Sequence, residues 1–144
     1  MNFTERYIKM CQEAKEIQES WKKQIGDYVA FPVGEDYALC IISDVDDRPP
    51  RKITVAHLGT LSGKPVLFSA RPIGSAIWLP TIEQLIELYY GTANVRASEI
   101  ATDLDCFVNP DWTFDLKETL LRMIMDLKYN KLWNNDKEEW IKVG

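Results

Sequence analysis

The sequence predicts an α+β fold: an N-terminal helix, an antiparallel β-meander of four to five strands, then about three helices packed on the sheet. Three observations predict it. Apolar residues recur at helical spacing at the start of the chain and again after position 80. Between these stretches lie short segments rich in β-branched and aromatic residues. The turns separating those segments are only a few residues long, and turns that short join antiparallel neighbours, because a parallel crossover needs a dozen residues or more.

The first helix rests on Phe3, Tyr7, Met10, Cys11, Ala14, Ile17 and Trp21, which fall on one stripe, with Thr4 placed to cap its start. Five strands are expected, over 28–32, 37–45, 52–58, 65–70 and 75–79. Their separators are rich in turn residues, such as Gly34-Glu35-Asp36 and Ser62-Gly63-Lys64. Residues 38–42 are apolar on both faces, which places that strand centrally in the sheet. Thr81 followed by Gln84 is a capping-box pattern, with Ile82, Leu85, Ile86 and Tyr89 as the buried stripe and Gly91 as the stop. A further helix is expected from Ser98, with Ile100, Leu104, Phe107 and Val108 inward and Asn109-Pro110 ending it. The last helix starts at Asp115 with Glu118 three residues on, and its stripe is Leu116, Leu120, Met123, Ile124 and Leu127. The tail reads as a turn that brings Trp133 and Trp140 together.

The chain has 144 residues, the size of one ordinary domain, so a single domain spanning 1–144 is expected. Its net charge is −5 and its isoelectric point about 4.9. Nucleic-acid binding draws on many Lys and Arg contacts to phosphate, and Arg48, Arg51 and Lys52 form only a small basic patch, which argues against a nucleic-acid partner. Cys11, Cys40 and Cys106 are far apart and in apolar contexts, which reads as buried free thiols in a reducing compartment. The N-terminus carries charge at once and does not read as a signal peptide. No stretch approaches the ~18 apolar residues of a membrane span. The expected location is the cytoplasm, with no membrane association.

Residues able to carry chemistry are few. His57 is the only histidine, on the strand face of Ile53 and Val55 by alternation, and a half-buried structural role is the favoured reading. Asp44, Asp46 and Asp47, with Glu35 and Asp36, lack the spacing of a calcium loop and read as solvated turns. Asp103 and Asp105 are expected to flank a helix face rather than converge. Neither GxGxxG nor GxxxxGK[ST] occurs. No catalytic residue, metal ligand or cofactor site is assigned. The remaining candidates are aromatic: Trp78, Leu79 and Pro80, in the apolar run Ala76 to Pro80, and the pair Trp133 and Trp140. Exposed, they form a protein-binding surface; buried, they are core, which is the favoured reading for the run.

Three groups of residues also carry a resemblance. They are Met10-Cys11-Gln12-Glu13-Ala14-Lys15-Glu16-Ile17-Gln18 with Trp21 and Gly26-Asp27, then Trp78-Leu79-Pro80-Thr81 leading to Glu83-Gln84-Leu85, then Tyr129-Asn130-Lys131-Leu132-Trp133 with Glu138-Glu139-Trp140. In this order they resemble a family of small, functionally uncharacterised phage and prophage proteins of Gram-positive bacteria. The resemblance implies a layered α/β domain expressed inside a host cell, and it supplies no catalytic residue. The tail departs from the family pattern, in which a tight Asp-Gly turn joins the two Trp-bearing segments, because Asn134-Asn135-Asp136-Lys137 intervenes here.

Two functions of different class follow. The leading one is a non-enzymatic accessory protein that binds another protein, of host or phage, with a homodimer as a further candidate. The alternative is a small enzyme or ligand-binding protein whose site is assembled from distant residues around His57. Nucleic-acid mimicry ranks third, since the acidic residues are interleaved with basic ones.

Overall fold

The computed structural model describes residues 3–49, 51–64, 71–72, 76–92, 94–105 and 115–143. The chain divides into two units, Met1–Leu79 and Pro80–Gly144. The order is that of an α+β protein: a helical N-terminus, an antiparallel sheet, then helices.

In the first unit, Thr4 caps α1 (Glu5–Glu13) by accepting the Tyr7 N–H at 3.1 Å. The expected stripe is buried throughout, from Phe3 to Trp21, and Ile8 joins it. Each large apolar side chain taken fully from water contributes about 1.5–3 kcal/mol. The stripe does not lie on one helix, however. The helix ends at Ala14, whose φ −83° and ψ 76° are not helical, and α2 (Lys15–Glu19) restarts it. The break has a structural consequence. It frees the Cys11 carbonyl, which accepts from the Ala14 N–H at 3.2 Å and from the Gln18 side chain at 3.1 Å.

The sheet has five strands in the order β4-β3-β2-β1-β5, antiparallel throughout. They are β1 (Tyr28–Val33), β2 (Asp36–Asp46), β3 (Lys52–Thr60), β4 (Arg71–Pro72) and β5 (Ile77–Trp78). The strand carrying residues 38–42 is central, as its two apolar faces required. The expected strand over 65–70 lies outside the described residues. The last strand does not extend the meander next to β4; it returns to pair with β1 at the opposite edge.

That edge is closed by a side chain. Leu79 N–H donates to the Tyr28 carbonyl at 2.9 Å, and Val29 lies opposite Trp78. In an antiparallel ladder the bonded pairs alternate, so the N–H and C=O of Trp78 point away from β1. Gln18 meets both: its Oε1 accepts the Trp78 N–H at 2.8 Å, and its Nε2 donates to the Trp78 carbonyl at 3.0 Å. One amide thus supplies the donor and acceptor that a further strand would have offered. Beside it, Trp21 stacks on Trp78 with centroids 6.0 Å apart, and Trp21 Nε1 donates to buried Asp27 at 2.8 Å.

In the second unit the caps read from sequence are present. Gln84 N–H donates to Thr81 Oγ1 and Thr81 N–H to Gln84 Oε1, a complete capping box for α3 (Ile82–Tyr90), and Gly91 ends it with φ 78°. α4 spans Ala97–Asp105, so Ser98 lies in its first turn; Phe107 and Val108 fall outside the described residues. Asp115 caps α5 (Leu116–Tyr129) through the Glu118 N–H at 3.2 Å. Leu120, Met123 and Ile124 are buried as expected, with Leu121 and Met125 in addition. Leu127 departs from the expected stripe: it is 53% exposed, because it stands in the last turn, past the buried stretch. Lys128 in the same turn reaches the Leu88 carbonyl of α3 at 2.6 Å, a cation placed on the unsatisfied carbonyl end of a helix. Asn130, in the left-handed conformation, ends α5 and leads directly into a hairpin of β6 (Lys131–Asn134) and β7 (Glu139–Lys142).

Replacing Gln18 by Ala is expected to destabilise the protein by about 2–3 kcal/mol, because it leaves the Trp78 N–H and C=O buried without partners. Urea unfolding measures the loss, and amide exchange at Trp78 is expected to accelerate. A loss under about 0.5 kcal/mol would show that the amide does not close the sheet.

Candidate functional site

The structure separates the aromatic candidates into two groups. Trp78 is 5% exposed, Leu79 is fully buried and Pro80 is buried. With Gln18 on the outward backbone of Trp78, this run offers neither side chains nor a free strand edge. Trp78 Nε1 is itself buried and has no acceptor among the described residues, so the indole is held there by shape and stacking rather than by a hydrogen bond.

Trp133 and Trp140 are different. They sit directly opposite one another across the β6–β7 hairpin, with centroids 5.2 Å apart and planes tilted by 60°, and both are half-buried. The turn is stapled by side chains. Asn134 Oδ1 accepts the N–H groups of Asp136 and Lys137 at 2.9 and 3.0 Å, and Trp133 Nε1 donates to Asn135 Oδ1 at 2.8 Å. Glu138 takes a left-handed φ of 53°, the conformation that a glycine adopts without strain.

The opposite face of the hairpin carries residues that the tryptophans drew attention away from. Leu132 faces Ile141 across the strands, and alternation puts Val143 on the same side as Ile141. Their exposures are 50%, 38% and 47%. An open groove of about 490 Å³ runs beside them, lined by Leu132, Trp133, Asn135, Ile141 and Val143. The alternation in Lys131-Leu132-Trp133-Asn134 and Glu139-Trp140-Ile141-Lys142 shows that one apolar residue must face away from the tryptophans on each strand. It does not show which side is covered.

His57 requires a correction. It is exposed rather than half-buried. Alternation does place it with Ile53 and Val55, but cover on that face fades along β3: Ile53 is buried, Val55 half-buried and His57 exposed. Among the described residues, β4 pairs with β3 only at Lys52 and Ile53, the end far from His57. A register shift next to His57 leaves Leu58 bulged out between the pairs His57–Cys40 and Gly59–Leu39.

Asp36, Asp44 and Asp46 serve local structure. Asp46 accepts Arg48 Nε at 3.0 Å and the Arg48 N–H at 3.1 Å, which holds its carboxyl below the usual range. Asp44 accepts the adjacent Val45 N–H. Asp36 lines an open groove of about 540 Å³ together with Glu5, Glu35, Ser62 and Lys64. Its carboxylate is taken up by the Ser62 hydroxyl, the Ser62 N–H and the Tyr37 N–H, and the Ser62 bond above all holds its carboxyl low. Asp36 therefore ties one hairpin end to the next as a charged acceptor. Among the described residues no group of three or more His, Cys, Asp or Glu side chains is placed to hold a metal ion. Cys11 and Cys40 are buried and form no disulfide, and Cys106 lies outside the described residues. No described helix is long and apolar enough to cross a membrane.

Asp103 is engaged as well, accepting the Tyr90 hydroxyl at 2.6 Å beside Ser98, Glu99 and Thr102. Burial, and then the Asp103 carboxylate, push the Tyr90 phenol well above its ordinary value of 10.0. A group whose folded pKa is raised contributes stability that is full below its unfolded pKa and is lost as pH rises toward the folded one. Alkaline unfolding is therefore expected to begin above about pH 10 with a contribution that Tyr90→Phe removes. Spectrophotometric titration is expected to show one tyrosine fewer ionising late in the variant. Identical titration and alkaline stability in the two proteins would contradict this.

Comparison with known proteins finds no family model, no curated protein and no solved structure that matches the chain.

Proposed function

We propose that this chain is a non-enzymatic accessory protein that binds another protein through its C-terminal hairpin. The observation that carries the reading is the exposure of Leu132, Ile141 and Val143 together on one face of a hairpin held rigid by the Trp133–Trp140 pair and the Asn134 turn. Apolar side chains grouped beside a groove and edged by polar ones are what a protein partner covers. A hairpin made stiff in advance loses little entropy when it binds. The resemblance to small phage and prophage proteins suggests that the partner is a host or phage protein inside the cell.

The alternative, a small enzyme or ligand-binding protein with a site around His57, has less support. His57 is exposed and lines none of the grooves described above. Of the carboxylates that line the Asp36 groove, Asp36 is taken up by backbone and hydroxyl donors, and Glu5 lies 3.6 Å from Lys9 Nζ.

The test is capture from the lysate of a phage-carrying host with the tagged protein. A defined protein retained by the wild type is expected to fall by tenfold or more with Leu132→Asp, since a charge placed in an apolar contact costs well over 1.4 kcal/mol. A Trp78→Phe control, which changes only an interior residue, is expected to retain it. Equal capture by the Leu132 variant would contradict the assignment of the surface.

A further inference from the structure

α4 depends on its neighbours more than on its own sequence. It has nine residues, and isolated helices shorter than about 12–15 residues are marginal in water. Glu99 and Asp103 put like charges one turn apart. Thr102 Oγ1 donates to the Ser98 carbonyl at 2.8 Å, a bond that weakens the helical ladder slightly. Burial supplies little in return. From Ala97 to Asp103 only Ile100 and Asp103 are half-buried, and the other five side chains are exposed. The side of α4 that borders Tyr90 is polar: Ser98, Glu99, Thr102 and Asp103 line an open groove of about 370 Å³ with it. There the Tyr90 hydroxyl donates to Asp103 at 2.6 Å, and among the described side chains this is the hydrogen bond that joins α4 to α3. Its carboxylate acceptor makes it one of the stronger kind.

The other side of this bond is fixed. Tyr90 ends α3, whose Leu85 is fully buried, and it rests edge-on against Tyr89 with centroids 4.6 Å apart. Lys128 of α5 holds the same end of α3 through the Leu88 carbonyl. Between Tyr90 and α4 stands Gly91 at φ 78°, a residue that takes either hand of backbone without strain.

We infer that α4 is a hinged flap that opens while α3 and α5 stay folded, with the Tyr90–Asp103 hydrogen bond as its latch. Segments that move when a protein acts are drawn from those held least firmly, and α4 has the exposure and the polar seam of such a segment. The flap stands or falls independently of the hairpin surface.

Amide hydrogen exchange at neutral pH, read residue by residue, tests this. In the wild type, the amides of Ala101 to Asp105 are expected to be at least about tenfold less protected than those of Leu120 to Met125 in α5. Tyr90→Phe removes the donor and keeps the ring. It is expected to lower protection in α4 by about tenfold more, the lower end of what a hydrogen bond to a charged group contributes, and to leave Leu85 and α5 unchanged. Asp103→Asn keeps an acceptor oxygen and is expected to lose less protection than Asp103→Ala. Both substitutions relieve the repulsion from Glu99, so the difference between them isolates the acceptor. Protection of α4 equal to that of α5 would overturn the flap. Unchanged exchange in Tyr90→Phe would overturn the latch. Exchange raised equally in α3, α4 and α5 would show that the bond holds the whole unit together, and would overturn both.

Discussion

The fork from the Gln18 amide to the N–H and C=O of Trp78 is the interaction on which the rest of the account depends. An edge strand presents a row of unpaired backbone groups, and β5 has no charge of its own to guard it. Gln18 meets those groups with one side chain, and the break at Ala14 coincides with the bond that the same amide donates to the Cys11 carbonyl. The consequence for function is direct. With that edge closed and Trp78 and Leu79 inside, the apolar run from Ala76 to Pro80 is withdrawn from any partner, whereas the hairpin groups Leu132, Ile141 and Val143 at the surface.

The hairpin owes its shape to short-range forces. Asn130 turns the chain out of α5 in a left-handed conformation, Asn134 organises the turn, and the Trp pair stiffens the strands. Two-stranded hairpins are marginal in isolation, so each of these contributions matters. The tryptophans occupy one face, and Leu132, Ile141 and Val143 are left on the other. A surface built this way separates rigidity from recognition: one face holds the hairpin together and the other remains available.

Much of this fold was legible in the sequence, and what was legible shares a physical character. The caps at Thr4, Thr81 and Asp115 depend on residues three apart, and each formed as read. The central strand was marked by apolar residues on both faces, and the Trp133–Trp140 pairing by turn residues between two apolar segments. What could not be read depends on partners distant in sequence. Ala14 is neither Gly nor Pro, so nothing local signals the helix break, which serves a contact with residue 78. His57 obeys alternation, yet it is exposed beside a bulge at Leu58, which leaves no local pattern. At the candidate surface the two tryptophans stood out by type, whereas the exposure of Leu132, Ile141 and Val143 depends on which face of the hairpin is covered, and alternation alone leaves the two faces equivalent.

The central claim is that the hairpin, and not the run from Ala76 to Pro80, presents a group of apolar side chains at the surface. Hydroxyl-radical footprinting of the free protein tests it most directly, because modification yield follows side-chain exposure. Strong labelling at Leu132, Ile141 and Val143 with Trp78 and Leu79 unlabelled is the result expected. Labelling of Trp78 and Leu79 in the folded protein, with Leu132 and Ile141 protected, would contradict the account and return the 76–80 run to the surface.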